Sequence, residues 1–120
     1  MTKQSSTKAK EYSIFFRIRI FNDSGNFVGR GRIELLENIQ IFGSIAKAAS
    51  EMKMSYRQAW QMVKEMNEIT DGPLVEKILG GKGGGGTKVT ARGEKVIRVF
   101  HEIQDDIDDF AKKIAKKINF

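Results

Sequence analysis

Apolar and polar residues alternate from Tyr12 to Phe21. Ile14, Phe16, Ile18 and Ile20 fall on one side, and Phe15, Arg17, Arg19 and Phe21 on the other. That period of two predicts a strand. Asn22-Asp23-Ser24-Gly25-Asn26 supplies turn residues, because Gly and Asn tolerate positive φ. Phe27 and Val28 then begin a return strand leading into Gly29-Arg30-Gly31. A two-stranded hairpin needs cover for its apolar face. From Arg32 the period becomes helical, with Ile33, Leu36, Ile39 and Gln40 running to Gly43, a helix stop. Ser44 can cap a second helix whose inner face holds Ile45, Ala48, Ala49 and Met52. Lys53-Met54 makes a tight turn. Ser55 and Gln58 form an S-x-x-Q capping box that opens a third helix, with Ala59, Met62, Val63, Met66 and Ile69 inward. Asp71-Gly72-Pro73 ends it, since proline disfavours helical geometry in the residue before it.

The stretch LVEKILGGKGGGGTKVT then predicts a second hairpin: a strand, a glycine tract and the short strand Thr87-Lys88-Val89. The final segment, Thr90 to Phe120, places Val96, Phe100, Ile103, Ile107, Phe110, Ile114 and Ile118 at spacings of four and three. Such a seam over about three heptads predicts a long helix of about 45 Å at 1.5 Å per residue. Its first half should complete the core. The same helix, through Phe100, Ile103, Ile107, Phe110 and Ile114, is expected to form a dimerisation stripe as well.

Length and composition narrow the class. The 120 residues suit one domain with an appended helix, and 40% apolar content suits a folded chain. A net charge of +6 and a sequence pI of about 9.7 favour a polyanionic partner. The chain has no cysteine, which excludes disulfides, thiolate metal sites and thiol catalysis and fits a reducing cytoplasm. No window approaches the roughly 18 apolar residues of a membrane span. The tail MTKQSSTKAK lacks the apolar centre of a secretory signal and is expected to be mobile.

Candidate chemistry concentrates on the third helix. With Ala59, Val63 and Met66 inward, Tyr56, Arg57, Trp60, Gln61 and Lys64 share the outer face. Arg can bond guanine O6 and N7, Gln adenine N6 and N7, and Lys can neutralise phosphate. The competing readings are a solvated Arg57 and a Trp60 that seals the helix against the hairpin. Lys82, in Gly80-Gly81-Lys82-Gly83-Gly84-Gly85-Gly86, is expected to meet phosphate together with the backbone amides around it, with a plain hairpin loop as the competing reading. Ser44, Ser55, Thr87 and Lys88 complete the candidate DNA-binding set. The tract is not a Walker loop, because Gly83 follows Lys82 where Ser or Thr is needed. His101 is the sole histidine and reads as structural. Asp105, Asp106, Asp108 and Asp109 fan around a helix rather than converge on a cation. Lys112, Lys113, Lys116 and Lys117 could grip anionic lipid on an amphipathic helix, but complement the helix C-terminal dipole equally well, and no membrane partner is expected. No cofactor, metal site or catalytic group is expected.

The stretch from Gly31 to about Ile97 resembles the N-terminal DNA-binding domain of ModE-type molybdate-responsive regulators, a cousin of the LysR-type winged helix. The resemblance is carried by Leu35-Leu36, Gly43-Ser44-Ile45, Ala48-Ala49, Met54-Ser55-Tyr56-Arg57, Ala59-Trp60, Glu65-Met66-Asn67, Leu74-Val75-Glu76, the glycine tract with Lys82, and Thr90-Ala91-Arg92-Gly93. It implies a homodimer that docks helix Ser55 to Ile69 in the major groove with the Lys82 loop as wing. Family members with full regulatory function carry C-terminal oxyanion-binding modules. With this sequence ending at Phe120, no molybdate site is expected within the chain.

Taken together, an α+β fold is expected: a winged helix-turn-helix with an N-terminal β-hairpin and a long C-terminal helix. Residues 1–10 should form a flexible tail, 11–97 the DNA-binding domain, and 98–120 the outer part of the dimerisation helix. The expected activity is regulation of transcription by a cytoplasmic homodimer on double-stranded DNA, with no membrane partner. The alternative is a protein-interaction module, or a single-stranded nucleic-acid binder using Phe15 and Phe21 on an open sheet face.

Overall fold

Two short antiparallel hairpins flank a cluster of three helices, and a long fourth helix closes the order. The computed structural model describes residues 10–81 and 84–120. Lys82 and nearly all of the expected tail therefore lie outside the described residues. The elements are β1 (Arg19–Phe21), β2 (Phe27–Gly29), α1 (Arg30–Phe42), α2 (Ile45–Glu51), α3 (Tyr56–Met66), β3 (Val75–Gly81), β4 (Gly84–Val89) and α4 (Ala91–Ala115). The class is α+β.

The first hairpin is shorter than the alternation predicts. β1 pairs with β2 only through Arg19↔Gly29, Ile20↔Val28 and Phe21↔Phe27. A strand is as long as its partner allows, and the partner ends where α1 begins at Arg30, two residues before the expected start. Residues 12–18 instead run without regular pairing beside the outer half of α4. There Phe16 faces Phe110 at 6.4 Å between ring centroids, and Tyr12 meets Phe120 edge-on at 5.5 Å. The turn is as expected: Asn22 Oδ1 accepts from the N–H groups of Ser24 (3.0 Å) and Asn26 (3.1 Å), and Gly25 takes φ 88°. Asn22 Nδ2 also donates to the Glu68 carbonyl at 3.1 Å, tying this turn to the end of α3.

Helix ends follow the caps. Gly43 closes α1 in the left-handed region with φ 67°, and its N–H donates to the Ile39 carbonyl. Ser44 and Ser55 accept from the N–H groups of Lys47 and Gln58. Only half of the capping box forms among the described residues: Ser55 reaches Gln58, while the Gln58 side chain makes no return bond. Lys53 makes the α2–α3 turn with φ 57°. α4 stops at Ala115, five residues before the expected end.

The core joins one face of each helix. Ile33, Leu35, Leu36 and Ile39 of α1, Ala48 and Ala49 of α2, and Ala59, Val63 and Met66 of α3 are buried together with Val28, Leu74, Val75 and Phe100. Each large side chain so buried contributes about 1.5–3 kcal/mol of transfer free energy before entropy is subtracted. Alanines where α2 meets its neighbours allow close helix approach. Phe100, expected in the dimerisation stripe, is only 3% exposed and is part of this core, as the reading of the first half of α4 anticipates.

Candidate nucleic-acid interface

At roughly 100° per residue, the buried Ala59, Val63 and Met66 leave the opposite side of α3 to Arg57, Gln61 and Lys64, within about 60° of arc. All three are exposed, as is Ser55 at the cap. Tyr56 and Trp60 lie on the flank of this arc and are also exposed, at 55% and 45%. Lys64 Nζ lies 5.7 Å from the Trp60 ring centroid, so the indole borders the cationic surface instead of closing over the protein. An open groove runs beside this arc, bordered by Arg32, Ser55, Arg57, Gln58, Trp60, Gln61, Met62 and Glu65.

The second hairpin is fixed to the helices at three places. Asn67, which follows α3, accepts from Leu74 N–H (2.9 Å) and Val75 N–H (3.0 Å) and donates to the Val75 carbonyl (3.2 Å). The Thr87 N–H donates to the Gly43 carbonyl at 2.9 Å, joining β4 to the end of α1. The Thr90 hydroxyl donates to the Pro73 carbonyl (2.8 Å) and accepts from Gly93 N–H (3.0 Å), capping α4 against the start of β3.

The glycines of the tract have packing reasons as well. A Cβ on Gly86 would sit 2.8 Å from the Gly43 carbonyl oxygen, and one on Gly85 would collide with the Ile78 carbonyl across the bulge between Ile78 and Gly81. Close backbone approach within the protein therefore selects glycine here, independent of any ligand.

The other expected site residues are placed as follows. Ser44 is half-buried at the α2 cap. Thr87 is half-buried, with its amide committed to Gly43. Lys88 reaches Glu76 across the hairpin at 3.5 Å, so part of its charge is compensated. Lys82 is outside the described residues. Along α4, Ile103 and Phe110 are 38% and 53% exposed, while Ile107 and Ile114 are half-buried. His101 Nε2 contacts Glu37 Oε2 at 3.0 Å, linking α4 to α1. The four aspartates of α4 are exposed, and among the described residues no group of three or more His, Asp or Glu is disposed to hold a metal ion. No helix among them is long and apolar enough to cross a membrane.

One feature of this face was missed from sequence. Glu65 bonds Arg32 (2.6 Å to Oε1) and Gln61 (3.1 Å to Oε2). Gln61 and Glu65 are four apart on one helix, a spacing that signals contact. Arg32 is 33 positions away, beyond any local pattern. The Gln61 amide and the Arg32 guanidinium hold the Glu65 carboxyl below its ordinary value of 4.5. A carboxylate with a lowered folded-state pKa contributes stability that is present above 4.5 and lost as pH falls through the lower folded value. Thermal melts across the acid range should therefore show wild type losing more Tm than Glu65→Gln below the ordinary carboxylate range. Parallel pH profiles would refute this.

Comparison with known families finds no family model that matches this chain. Among individual proteins it is similar to the "Molybdenum transport protein ModE" of Azotobacter vinelandii, with 31% identity over 86% of this chain and 38% of that protein. It is 38% identical to the "Transcriptional regulator ModE" of Haemophilus influenzae over 67% of this chain and 36% of that one. The "DNA-binding transcriptional dual regulator ModE" of Escherichia coli K12 is 40% identical over 62% and 28%. The alignments thus span between 28% and 38% of the length of these relatives.

Proposed function

We propose that this chain is a winged helix-turn-helix protein that binds specific double-stranded DNA sequences and regulates transcription as a cytoplasmic homodimer, without enzymatic activity. α2 and α3 form the helix-turn-helix, α3 enters the major groove, and the β3–β4 hairpin is the wing against the backbone or minor groove. The observation that carries this reading is the single exposed arc of Arg57, Gln61 and Lys64 opposite the buried face of α3. The names of the Haemophilus and Escherichia relatives point the same way, since both are called transcriptional regulators and one is called DNA-binding.

The exposed Ile103 and Phe110 support α4 as the surface that meets a second copy, with Ile107 and Ile114 beside them. Single-stranded binding has less support. Phe21 leans on Phe27 with ring centroids 5.3 Å apart and planes tilted by 39°, and a sheet of two three-residue strands offers little platform for successive bases. No molybdate response is carried over to this chain.

Duplex binding by neutralised phosphates makes log K fall by about 0.9 per phosphate contacted as log salt rises. Titration of fluorescently labelled genomic duplexes at increasing salt is expected to give such a slope, with several contacts. A flat response would remove the DNA reading.

A further inference from the structure

We infer that Glu65 is a positioning residue for base readout: anchored by Arg32, it sets the Gln61 carboxamide in the orientation that selects adenine. This rests on the proposal that α3 enters the major groove.

The argument begins at Arg32, whose side chain is 14% exposed. One guanidinium nitrogen donates to the Phe27 carbonyl at 3.3 Å, and the guanidinium carbon lies 4.2 Å from the Phe27 ring centroid. Arg32 is thus fixed from β2 and α1, and its other terminal nitrogen holds Glu65 at 2.6 Å. The second carboxylate oxygen of Glu65 receives Gln61 Nε2 at 3.1 Å.

An ionised carboxylate only accepts hydrogen bonds, so the Gln61 amide must turn its NH2 group, not its carbonyl, toward Glu65. A free glutamine presents either end to a base edge and discriminates poorly. Held in this way, Gln61 spends one amide proton on Glu65 and keeps its carbonyl oxygen and second proton for a ligand. An acceptor beside a donor complements adenine, which offers the N6 amino group beside the N7 acceptor in the major groove. Arg32 has a second effect. A bare carboxylate on a helix that approaches phosphates would repel them, and the adjacent guanidinium compensates that charge.

Charge alone and positioning differ in what Glu65→Gln does to base preference, not in the sign of its effect on overall affinity. Removing a negative charge should tighten binding to every duplex. Loss of positioning should erase the preference at one base pair while non-specific affinity stays level or rises. The experiment selects bound sequences from a random duplex pool with the wild-type chain, Gln61→Ala, Glu65→Gln and Glu65→Asp, each checked for folding by circular dichroism. Aspartate keeps the charge but is one methylene too short to hold both partners.

Wild type is expected to show a roughly tenfold preference for adenine at one position, the scale of a single bidentate contact. All three variants should flatten that same position and leave the others in place. Glu65→Gln and Glu65→Asp profiles identical to wild type would overturn the inference, as would a Gln61-dependent position that is guanine or cytosine. A wild-type chain that binds no duplex would instead remove the underlying DNA reading.

Discussion

Gly93→Ala is expected to lower the melting temperature by about 10 °C. Gly93 lies in the first turn of α4 and is buried. A Cβ there would collide with the Leu74 carbonyl oxygen and sit 2.5 Å from Val89 Cγ1. Neither neighbour yields easily. The Leu74 carbonyl accepts the Thr90 N–H at 2.9 Å, and the Leu74 N–H is held by Asn67. The Val89 side chain is β-branched and packs on the core. Overfilling a packed interior costs about 1–3 kcal/mol, and backbone obstruction belongs at the upper end. For a chain of this size each kcal/mol moves Tm by roughly 3–4 °C. Gly31→Ala is the matched control: it is also in a first helical turn, is exposed, and a Cβ there meets nothing within 4 Å. It should leave Tm level or raise it slightly. Equal effects of the two substitutions in calorimetry would show that Gly93 is not a packing requirement.

Arg57→Ala is expected to weaken binding to a selected duplex by about ten- to a hundredfold, the range for loss of one bidentate base contact. Its Tm should be unchanged, because Arg57 is exposed and makes no ion pair among the described residues. The salt slope separates two roles. If Arg57 reads a base, affinity for an unrelated duplex falls little and the slope is preserved. If it grips phosphate, binding weakens on every sequence, the slope drops by about 0.9, and Arg57→Lys largely restores it. Fluorescence polarisation on one selected and one scrambled duplex measures both. Unchanged affinity on both would take Arg57 out of the interface.

Local signals made much of this arrangement legible in advance. Gly43, Ser44 and Ser55 each set a helix boundary through a bond to nearby backbone, so short-range pattern was enough. The apolar spacing of α3 correctly separated Ala59, Val63 and Met66 from Arg57 and Gln61. Alternation over residues 12–18 misled, because an extended segment lying beside a helix and a paired strand share the same period. Only the presence of a partner distinguishes them, and α1 takes up the residues that would have paired. Arg32 with Glu65, Thr87 with Gly43 and Gly93 with Leu74 are contacts between separate elements, so no local window encodes them. The glycine tract was visible, but its cause was not: Gly85 and Gly86 answer to carbonyl oxygens of the protein itself.

Asn67 commits both ends of its carboxamide to the Leu74–Val75 backbone, and Gly43 holds β4 from the other side. The interval between α3 and the second hairpin is thereby preset, with little slack for adjustment when a ligand arrives. A duplex seated on both would have to flex to match a rigid gauge. Pliable pyrimidine–purine steps would then be favoured between the two points of grip, at base pairs that no side chain of this protein reaches.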